Sequence, residues 1–378
     1  MINIEIIQAI AFSAPMFSAL VCLIFMLLYY HNSTGISTRK LTLLMIFTYI
    51  MAFFCWFGII LYVMDYDAFV RFNTFFFLAL MLDQVLLYHF MFIITGTGNK
   101  RRFNTIHYIV PVILAVIMGV WSLLTPYEVQ YYIVESRGEN APGYLWYSRF
   151  FSSTVPIFII YNIIYPIAGF YRIRVYRREV VNYSADEYRT SVGWLYMLVF
   201  LILLTLPLAS GVLFVHKSIF FNSTLTIIGA LLPIFQYVII CYNLISGNYV
   251  IIDIDPAPPI GEIVESETSL LNRKRFEQYI YNKKPYKNSK LRIIDVAADL
   301  CTNRSYVSAF INKEYGMNFS RYINLRRLEE LDNLRLLPEN SKSSGLELVL
   351  MAGFSGYRSY LRVKKDENQK SILSKTIG

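Results

Sequence analysis

Residues 294–316 read IDVAADLCTNRSYVSAFINKEYG and contain two short helical patterns separated by a tight turn. In the first pattern Val296, Ala297 and Leu300 share one face, and Ala297 is small enough to allow close contact with a second helix. Residues 300–302 form the turn, and Asn303 is a good N-cap for the helix that follows. The stretch therefore predicts two short helices that pack against each other.

The second of these helices has an apolar face and a polar face. The apolar stripe consists of Val307, Phe310 and Ile311. The opposite face carries side chains that donate and accept hydrogen bonds: Arg304, Ser305, Ser308 and Asn312. A DNA-reading helix-turn-helix needs this division, because one side locks two helices together while the other enters the major groove. A generic helical pair would share only the stripe, so we expect the four polar residues to contact DNA.

The sequence around this pair resembles a known family. KPYKNSKLRIIDVAADLCTNRSYVSAFINKEYGMNFSRYINLRRLEEL, residues 284–331, looks like the DNA-binding domain of the AraC/XylS family of transcriptional regulators, and MAGFS at 351–355 is similar to the signature that opens its second unit. The resemblance covers about residues 270–365. It implies two helix-turn-helix units in tandem, a connecting helix over 319–337, double-stranded DNA as the partner, and RNA polymerase as a further partner if the protein is an activator.

The second unit departs from the family pattern. Its reading helix would begin at about residue 356 and present Tyr357, Arg358, Leu361 and Arg362. The family usually has an aromatic residue where this chain has Lys364, and the usual Gly-x-[ST]-Pro turn is replaced by NQKSI. We therefore expect the first unit to carry most of the base contacts, whereas Arg358 and Arg362 contact phosphate or stay solvated.

The rest of the chain has the composition of a membrane protein. Of 378 residues, 56% are hydrophobic and 16% charged, and the mean hydropathy is +0.44. A helix needs roughly 20 apolar residues to cross a bilayer. Seven runs meet this length, at about 6–30, 41–64, 72–95, 105–125, 150–171, 192–215 and 220–245. The predicted fold is all-α: a polytopic seven-helix membrane bundle over 1–245, a Pro-containing linker over 246–269, and a cytoplasmic tandem helix-turn-helix domain over 270–378.

The distribution of basic residues predicts the orientation. The loops after spans one, three and five hold ten Lys and Arg residues, whereas the alternate loops and flanks hold Arg71, Arg137, Arg149 and Lys217. By the positive-inside rule the first set is cytoplasmic. A multi-pass protein of the cytoplasmic (inner) membrane, with its N-terminus outside and its C-terminus inside, follows from this pattern, so the predicted DNA-binding domain lies where DNA is.

One carboxylate falls near the middle of the third span, FFFLALMLDQVLLYHFMF at 75–92. An unpaired carboxylate at that depth costs several kcal/mol, so Asp83 must be protonated, paired or facing a wet cavity. One interpretation is a ligand or stimulus site formed by Asp83, Gln84, Tyr88 and His89. The other is a hydrogen-bonded cluster that only fixes helix packing. Further polar partners in the spans are Asn162 and Gln236.

The predicted outer segment 125–149 is rich in aromatic residues, with five tyrosines and a tryptophan. These residues either form a lid over a ligand site or lie at the level of the lipid headgroups, where tyrosine and tryptophan concentrate. We favour the headgroup interpretation.

No motif of an enzyme is present. The sequence has no H-E-x-x-H, no G-x-S-x-G and no phosphate-binding loop. The four cysteines form no C-x-x-C pair, so neither a disulfide nor a metal site is expected. We therefore expect a protein that is not an enzyme and carries no cofactor.

Together these features predict a membrane-embedded one-component transcriptional regulator. A transmembrane sensor domain would respond to a stimulus ligand of unknown chemistry, and the tethered module would bind promoter DNA sequence-specifically. Its other expected partners are the lipid bilayer and a second copy of the chain in a homodimer. The alternative is a membrane receptor or transporter whose helix-turn-helix domain docks a protein partner.

Overall fold

The structure is a computed structural model that describes residues 4–96, 102–186, 189–214, 223–252 and 271–377. Apart from one isolated antiparallel bridge, these residues form helices and connecting loops, which confirms the all-α prediction for the described part of the chain. Two compact units divide the chain. The first comprises 1–94, 101–173 and 193–246, and the second comprises 95–100, 174–192 and 247–378.

The helices that begin in the first unit are apolar. They are α1 (Ile4–Asn32), α2 (Ile36–Met64), α3 (Tyr66–Ile94), α4 (Ile106–Leu124), α5 (Tyr127–Glu135), α6 (Leu145–Tyr183), α7 (Gly193–Phe214), α8 (Thr224–Ala230) and α9 (Leu232–Ile245). Six described segments are long and apolar enough to cross a membrane, namely α1, α2, α3, α4, α6 and the pair α8 and α9. At the predicted sixth span lies α7 (Gly193–Phe214), whose described side chains, over Gly193–Thr205, form an apolar stretch. Residues 215–222, which include the start of the predicted seventh span, lie outside the described residues.

These apolar helices pack along one another and leave apolar faces exposed. α1 packs along α2, and α2 along α3. On α4 the residues Val112, Val116, Val120 and Leu123 all point outward. A contiguous apolar face of this kind marks contact with another apolar phase, which for a helix of this length is the hydrocarbon of a bilayer.

The longest helix extends beyond its predicted span. The apolar pattern predicts a fifth span over 150–171, but α6 continues without interruption to Tyr183, through Pro156 and Pro166. Its last ten residues belong to the second unit. There the hydroxyl of Tyr176 donates a hydrogen bond to the carbonyl of Val250 at 2.6 Å, so residues 247–252 of the predicted linker are packed against α6. Residues 253–270, the greater part of that linker, lie outside the described residues.

The helices described in 271–377 belong to the second compact unit. They are α10 (Arg273–Lys283), α11 (Ile293–Asp299), α12 (Arg304–Tyr315), α13 (Phe319–Leu336), α14 (Gly345–Met351) and α15 (Tyr357–Ile377). Asn303 caps α12 as predicted, because its side chain accepts a hydrogen bond from the amide of Tyr306 at 2.9 Å. Asn318 caps α13, and Ser344 caps α14 with Glu347 in a reciprocal capping box.

Two apolar cores form in this unit, one at each end of α13. In the first, Phe276 of α10 is fully buried against Phe310 and Tyr322, with ring centroids 5.1 and 5.5 Å away. α10 therefore packs against α12 and α13. The second core consists of Leu331, Leu334, Leu348, Val349, Ala352, Phe354, Tyr360 and Val363.

A glycine joins the second core to the turn after α10. Gly353 has φ of +98°, a region that side chains with a Cβ rarely adopt. A Cβ placed on it would lie 2.2 Å from the carbonyl oxygen of Tyr286 and 2.6 Å from Cα of Lys287. Both neighbours are backbone atoms that cannot rotate away, so this position requires glycine.

Gly353→Ala should therefore destabilise the second helix-turn-helix by about 2 kcal/mol or more, from left-handed strain and a displaced backbone. Tryptic cleavage within 345–367 of the full-length protein in detergent should become faster. Gly345→Ala is the matched control, because a Cβ at that position would meet no described atom within 4 Å and alanine favours the first turn of α14. Equal protease resistance of the two variants would contradict the assignment.

Candidate functional site

The first candidate reading surface lies on α12. Val307 and Ile311 are fully buried, and they fix one side of this helix against the module. Of the four residues predicted to contact DNA, Ser305 and Asn312 are exposed, and Arg304 and Ser308 are half-buried. Asn312 donates a hydrogen bond to the carbonyl of Ser308 at 2.9 Å. Ser305 and Asn312 thus lie on the exposed side of α12, whereas Arg304 and Ser308 border the buried stripe.

The second candidate surface lies at the start of α15. Arg358 and Arg362 are exposed, as are Tyr357 and Leu361 beside them. On the opposite side Tyr360 is buried, 5.8 Å from the ring of Phe354. Lys364, where the family has an aromatic residue, is exposed with its Nζ 5.6 Å from the ring centroid of Tyr360. The second predicted helix-turn-helix therefore has a packed apolar core, although its sequence departs from the family pattern.

A buried arginine of the connecting helix holds the module together. Arg327 is 1% exposed, although it is charged. Its Nε donates to the carbonyl of Tyr286, its Nη1 to the carbonyl of Ala185, and its Nη2 to the carbonyl of Asn288, all within 2.8 Å. Nη1 also donates to Oδ1 of Asn324 at 2.8 Å. A buried cation costs several kcal/mol unless it is fully hydrogen-bonded, and these four bonds meet that requirement.

Residues 184–186, which we term the α6 loop, contact both segments that the sequence predicts as helix-turn-helix units. The amide of Ala185 donates to the carbonyl of Leu291 at 3.1 Å, immediately before α11 of the first unit. Ser355, before α15 of the second unit, donates to Oδ1 of Asp186 at 3.4 Å. Between these two contacts Arg327 binds the carbonyl of Ala185. The segment that follows α6 therefore contacts residues next to α11 and α15, as well as Arg327 of α13.

A second charge cluster supports the turn after α10. Glu330 is 6% exposed, and it accepts hydrogen bonds from Lys284 at 3.1 Å and from the hydroxyl of Tyr286 at 3.0 Å. Lys287 forms an ion pair with it at 2.8 Å. Burial raises the pKa of Glu330, but the hydrogen bonds from Lys287, Lys284 and Tyr286 lower it more, so the net shift is downward. The carboxylate therefore stays ionised and fixes the turn that Arg327 also binds.

The first unit contains a cavity of about 500 Å³. Asp83 and Gln84 lie on its wall, with Nε2 of Gln84 3.4 Å from Oδ2 of Asp83. Asn162 and Gln236, the other polar groups expected in the spans, also line it. Asp83 thus faces an open space among polar groups, as one of the sequence interpretations requires. The volume lies within the usual range for small-molecule sites.

Tyr88 and His89 are in a different place. Among the described residues they belong to an aromatic cluster and not to the cavity wall. Nδ1 of His89 is 2.8 Å from the hydroxyl of Tyr108, and its ring stacks on Phe103 at 3.9 Å. Tyr88 stacks on Tyr165 at 4.9 Å. The four predicted sensing residues are therefore divided into two pairs: Asp83 and Gln84 line the cavity, whereas Tyr88 and His89, more than one helical turn further along α3, belong to the aromatic cluster.

Several residues that organise these sites carry no clear signal in the sequence. Arg327 lies in NLRRLEEL, where alternating charges are typical of a solvated helix face, and only the three-dimensional contacts reveal its burial. Arg137 and Asn73 line the cavity, yet one is in a polar loop and the other near the end of a span. Within the described residues, no group of three or more His, Cys, Asp and Glu side chains could hold a metal ion.

Comparison with known proteins adds no family assignment. No family model matches the chain, and no curated protein or solved structure matches it either.

Arg327→Met should destabilise the packing of the α6 loop and of the turn after α10 in the second compact unit. Three buried carbonyls lose their hydrogen-bond donor, at a cost of about 1–3 kcal/mol each. We expect amide hydrogen exchange in the full-length protein to become at least about tenfold faster at residues 176–186 and 286–292. Arg326→Met is the matched control. Arg326 pairs with Glu329 at the surface, at 2.8 Å, a contact that contributes at most about 1 kcal/mol. Unchanged exchange in Arg327→Met would refute the role of this side chain.

Proposed function

We propose that this protein is a membrane-embedded one-component transcriptional regulator. Seven spans, with the N-terminus outside and the C-terminus cytoplasmic, form a sensor domain. The C-terminal module is of the AraC type, binds promoter DNA sequence-specifically, and changes transcription in response to the sensor. No enzymatic step and no cofactor are part of this function.

The observation that carries the proposal is the arrangement of α12. This helix is capped by Asn303, buried through Val307 and Ile311, and polar on its outer side. Arginine recognises guanine, serine bonds to several bases, and asparagine recognises adenine, so these residue types suit a major-groove surface. The module also has the net charge expected of a DNA-binding domain, since residues 262–378 hold 21 Lys and Arg against 14 Asp and Glu, a balance of +7.

The tandem arrangement supports a bipartite operator. α13 connects the two helix-turn-helix units, and Arg321 near its start forms a two-pronged ion pair with Glu367 of α15, both bonds at 2.8 Å. Two reading helices on one face of DNA are separated by about one helical turn, roughly 34 Å. A fixed spacing between the units therefore selects operators with a matching spacing of half-sites.

The α6 loop supports control by the membrane domain. α6 is a single helix from Leu145 to Tyr183, and the loop that follows it contacts both reading units. A shift of this helix would move Ala185 and Asp186, and with them the relative positions of the two units. Small changes in that geometry alter DNA affinity, because both helices must enter the groove together.

Mapping of bound DNA across the genome, in the protein's own cells, tests the function. We expect discrete sites for the intact chain and their loss in Arg304→Ala plus Ser308→Ala, because truncation of base contacts costs about 1–3 kcal/mol at each position. Ser341→Ala plus Lys342→Ala removes a hydroxyl and a positive charge from an exposed turn outside both reading helices, and it should retain the sites.

The alternative function makes the opposite prediction. A module that docks a protein partner would bind DNA only through its positive charge, with steep salt dependence and without sequence preference. In that case the intact chain, present in membranes under several growth conditions, would give no discrete sites, and the proposal of a transcriptional regulator would fail.

A further inference from the structure

The cavity of the first unit has two ends of opposite charge. Among the described residues that line it, Arg137 is the only cation and Asp83 the only carboxylate. Arg137 lies near the start of α3, whereas Asp83 lies near its middle. α5 packs on the start of α3 through Val134 and Phe69, and Arg137 follows α5 directly. Asp83 lies about four helical turns beyond Phe69 along α3, at about 3.6 residues per turn.

The position of Arg137 is maintained against local strain. Its φ is +61°, in the left-handed region that disfavours every residue with a Cβ by about 1–2 kcal/mol. The amides of Arg137 and Gly138 bind the carbonyls of Val134 and Ile133, a pattern that closes the end of a helix and normally has glycine where Arg137 stands. Strained residues concentrate at ligand sites, where the side chain has a purpose that glycine cannot serve.

A second polar group points to a missing ligand atom at this end. Asn73 is 5% exposed and lines the cavity, and its Nδ2 has no hydrogen-bond partner among the described residues. A buried amide without an acceptor costs about 1–3 kcal/mol, so a ligand that supplies an acceptor gains affinity there. Arg137 and Asn73 together favour an anionic acceptor such as a carboxylate.

The other end favours a donor. Asp83 accepts a long hydrogen bond from the neighbouring Gln84, at 3.4 Å, which leaves most of its capacity as an acceptor unused. The wall around this end includes Trp56 and Tyr237, whose rings attract cations, and Nε1 of Trp56 donates to the hydroxyl of Tyr237 at 3.0 Å. An ammonium group would satisfy the carboxylate by a charge-assisted hydrogen bond.

The middle of the cavity is apolar. Aromatic rings from α3 and α6 form its walls between the two ends, including Phe76, Phe77, Phe151 and Phe158. Asn73 and Asp83 are ten residues apart on α3, a distance of about 15 Å along the helix axis. An extended peptide spans this distance with four or five residues, at roughly 3.3–3.6 Å per residue.

We propose that the cavity binds an elongated apolar ligand with a carboxylate at one end and an amine at the other, the chemistry of a short apolar peptide with free termini. Arg137 and Asn73 bind the carboxylate, Asp83 binds the ammonium, and the aromatic walls contact apolar side chains. This site rests on the proposed function in one respect only, in that the ligand is the stimulus to which the regulator responds.

Native mass spectrometry of the full-length protein in nanodiscs tests the site. The probe is a pool of tetrapeptides and pentapeptides of Leu, Val and Phe with free termini, compared with the same pool acetylated at the N-terminus or amidated at the C-terminus. We expect the free pool to bind and each modification to weaken binding at least about tenfold, because each removes one charge-assisted contact.

Variants then assign each end. In Asp83→Asn the acetylated and free pools should bind equally, and in Arg137→Gly the amidated and free pools should bind equally. Arg137→Gly relieves the left-handed strain, so lost binding in this variant does not reflect lost folding. Arg149→Gln is the matched control, because it removes an exposed outer arginine that does not line the cavity and should leave all three pools unchanged.

Three results would overturn the proposal. The first is the absence of any bound peptide from the free pool. The second is an equal effect of the modifications in wild type and in both variants. The third is tight binding of dodecanoate that survives Asp83→Asn, which would assign the cavity to fatty acids held by Arg137 alone. None of these results depends on DNA, so a failure here is distinguishable from a failure of the proposed function.

Discussion

The second compact unit depends on the hydrogen bonds that the guanidinium of Arg327 donates. Inside the protein it donates to three backbone carbonyls and one side-chain oxygen, at 2.6–2.8 Å. These acceptors come from the α6 loop, from the turn after α10 and from α13 itself. The planar fork of arginine suits this set, whereas lysine carries a single ammonium group that cannot reach acceptors in several directions. One side chain thus fixes three segments distant in sequence.

Under the proposed function, the same contact would link the membrane domain to DNA binding. Helices α12 and α15 depend on separate apolar cores, which are joined through α13, the Arg321–Glu367 ion pair and the α6 loop. Apolar cores resist distortion because their side chains are close-packed. In the proposed function a signal therefore acts at the polar contacts between these cores, where each buried carbonyl that loses its donor costs about 1–3 kcal/mol. In this account the α6 loop is the joint that the sensor moves.

The sequence predicts those features that depend on local patterns. The cap at Asn303, the buried stripe of α12 and the connecting helix over 319–337 follow from spacing and from the family resemblance, and the structure has the corresponding helices. Apolar runs locate most of the membrane helices to within a few residues. The burial of Arg327 and the cavity could not be predicted this way, because Arg327 binds Ala185 across 142 positions of sequence and helical periodicity carries no such information.

The intramembrane site illustrates the same limit. The sequence indicates that Asp83 requires a partner or a cavity, since a carboxylate in hydrocarbon is costly. It does not reveal that Asp83 and Gln84 share a cavity with Asn73 and Arg137, or that His89 binds Tyr108 elsewhere. Those assignments depend on how α3 is rotated against its neighbours, and many apolar residues on every side of a membrane helix leave that rotation undetermined in the sequence.

The central claim is that the module reads a DNA sequence with two units at a fixed spacing. The most direct measurement is selection of bound DNA from a random library by the purified full-length protein in nanodiscs, at near-physiological salt. The account predicts an enriched motif with two half-sites about one helical turn apart, of which the half-site read by α12 is the stronger. Binding without an enriched motif, at an affinity set by salt concentration alone, would contradict it.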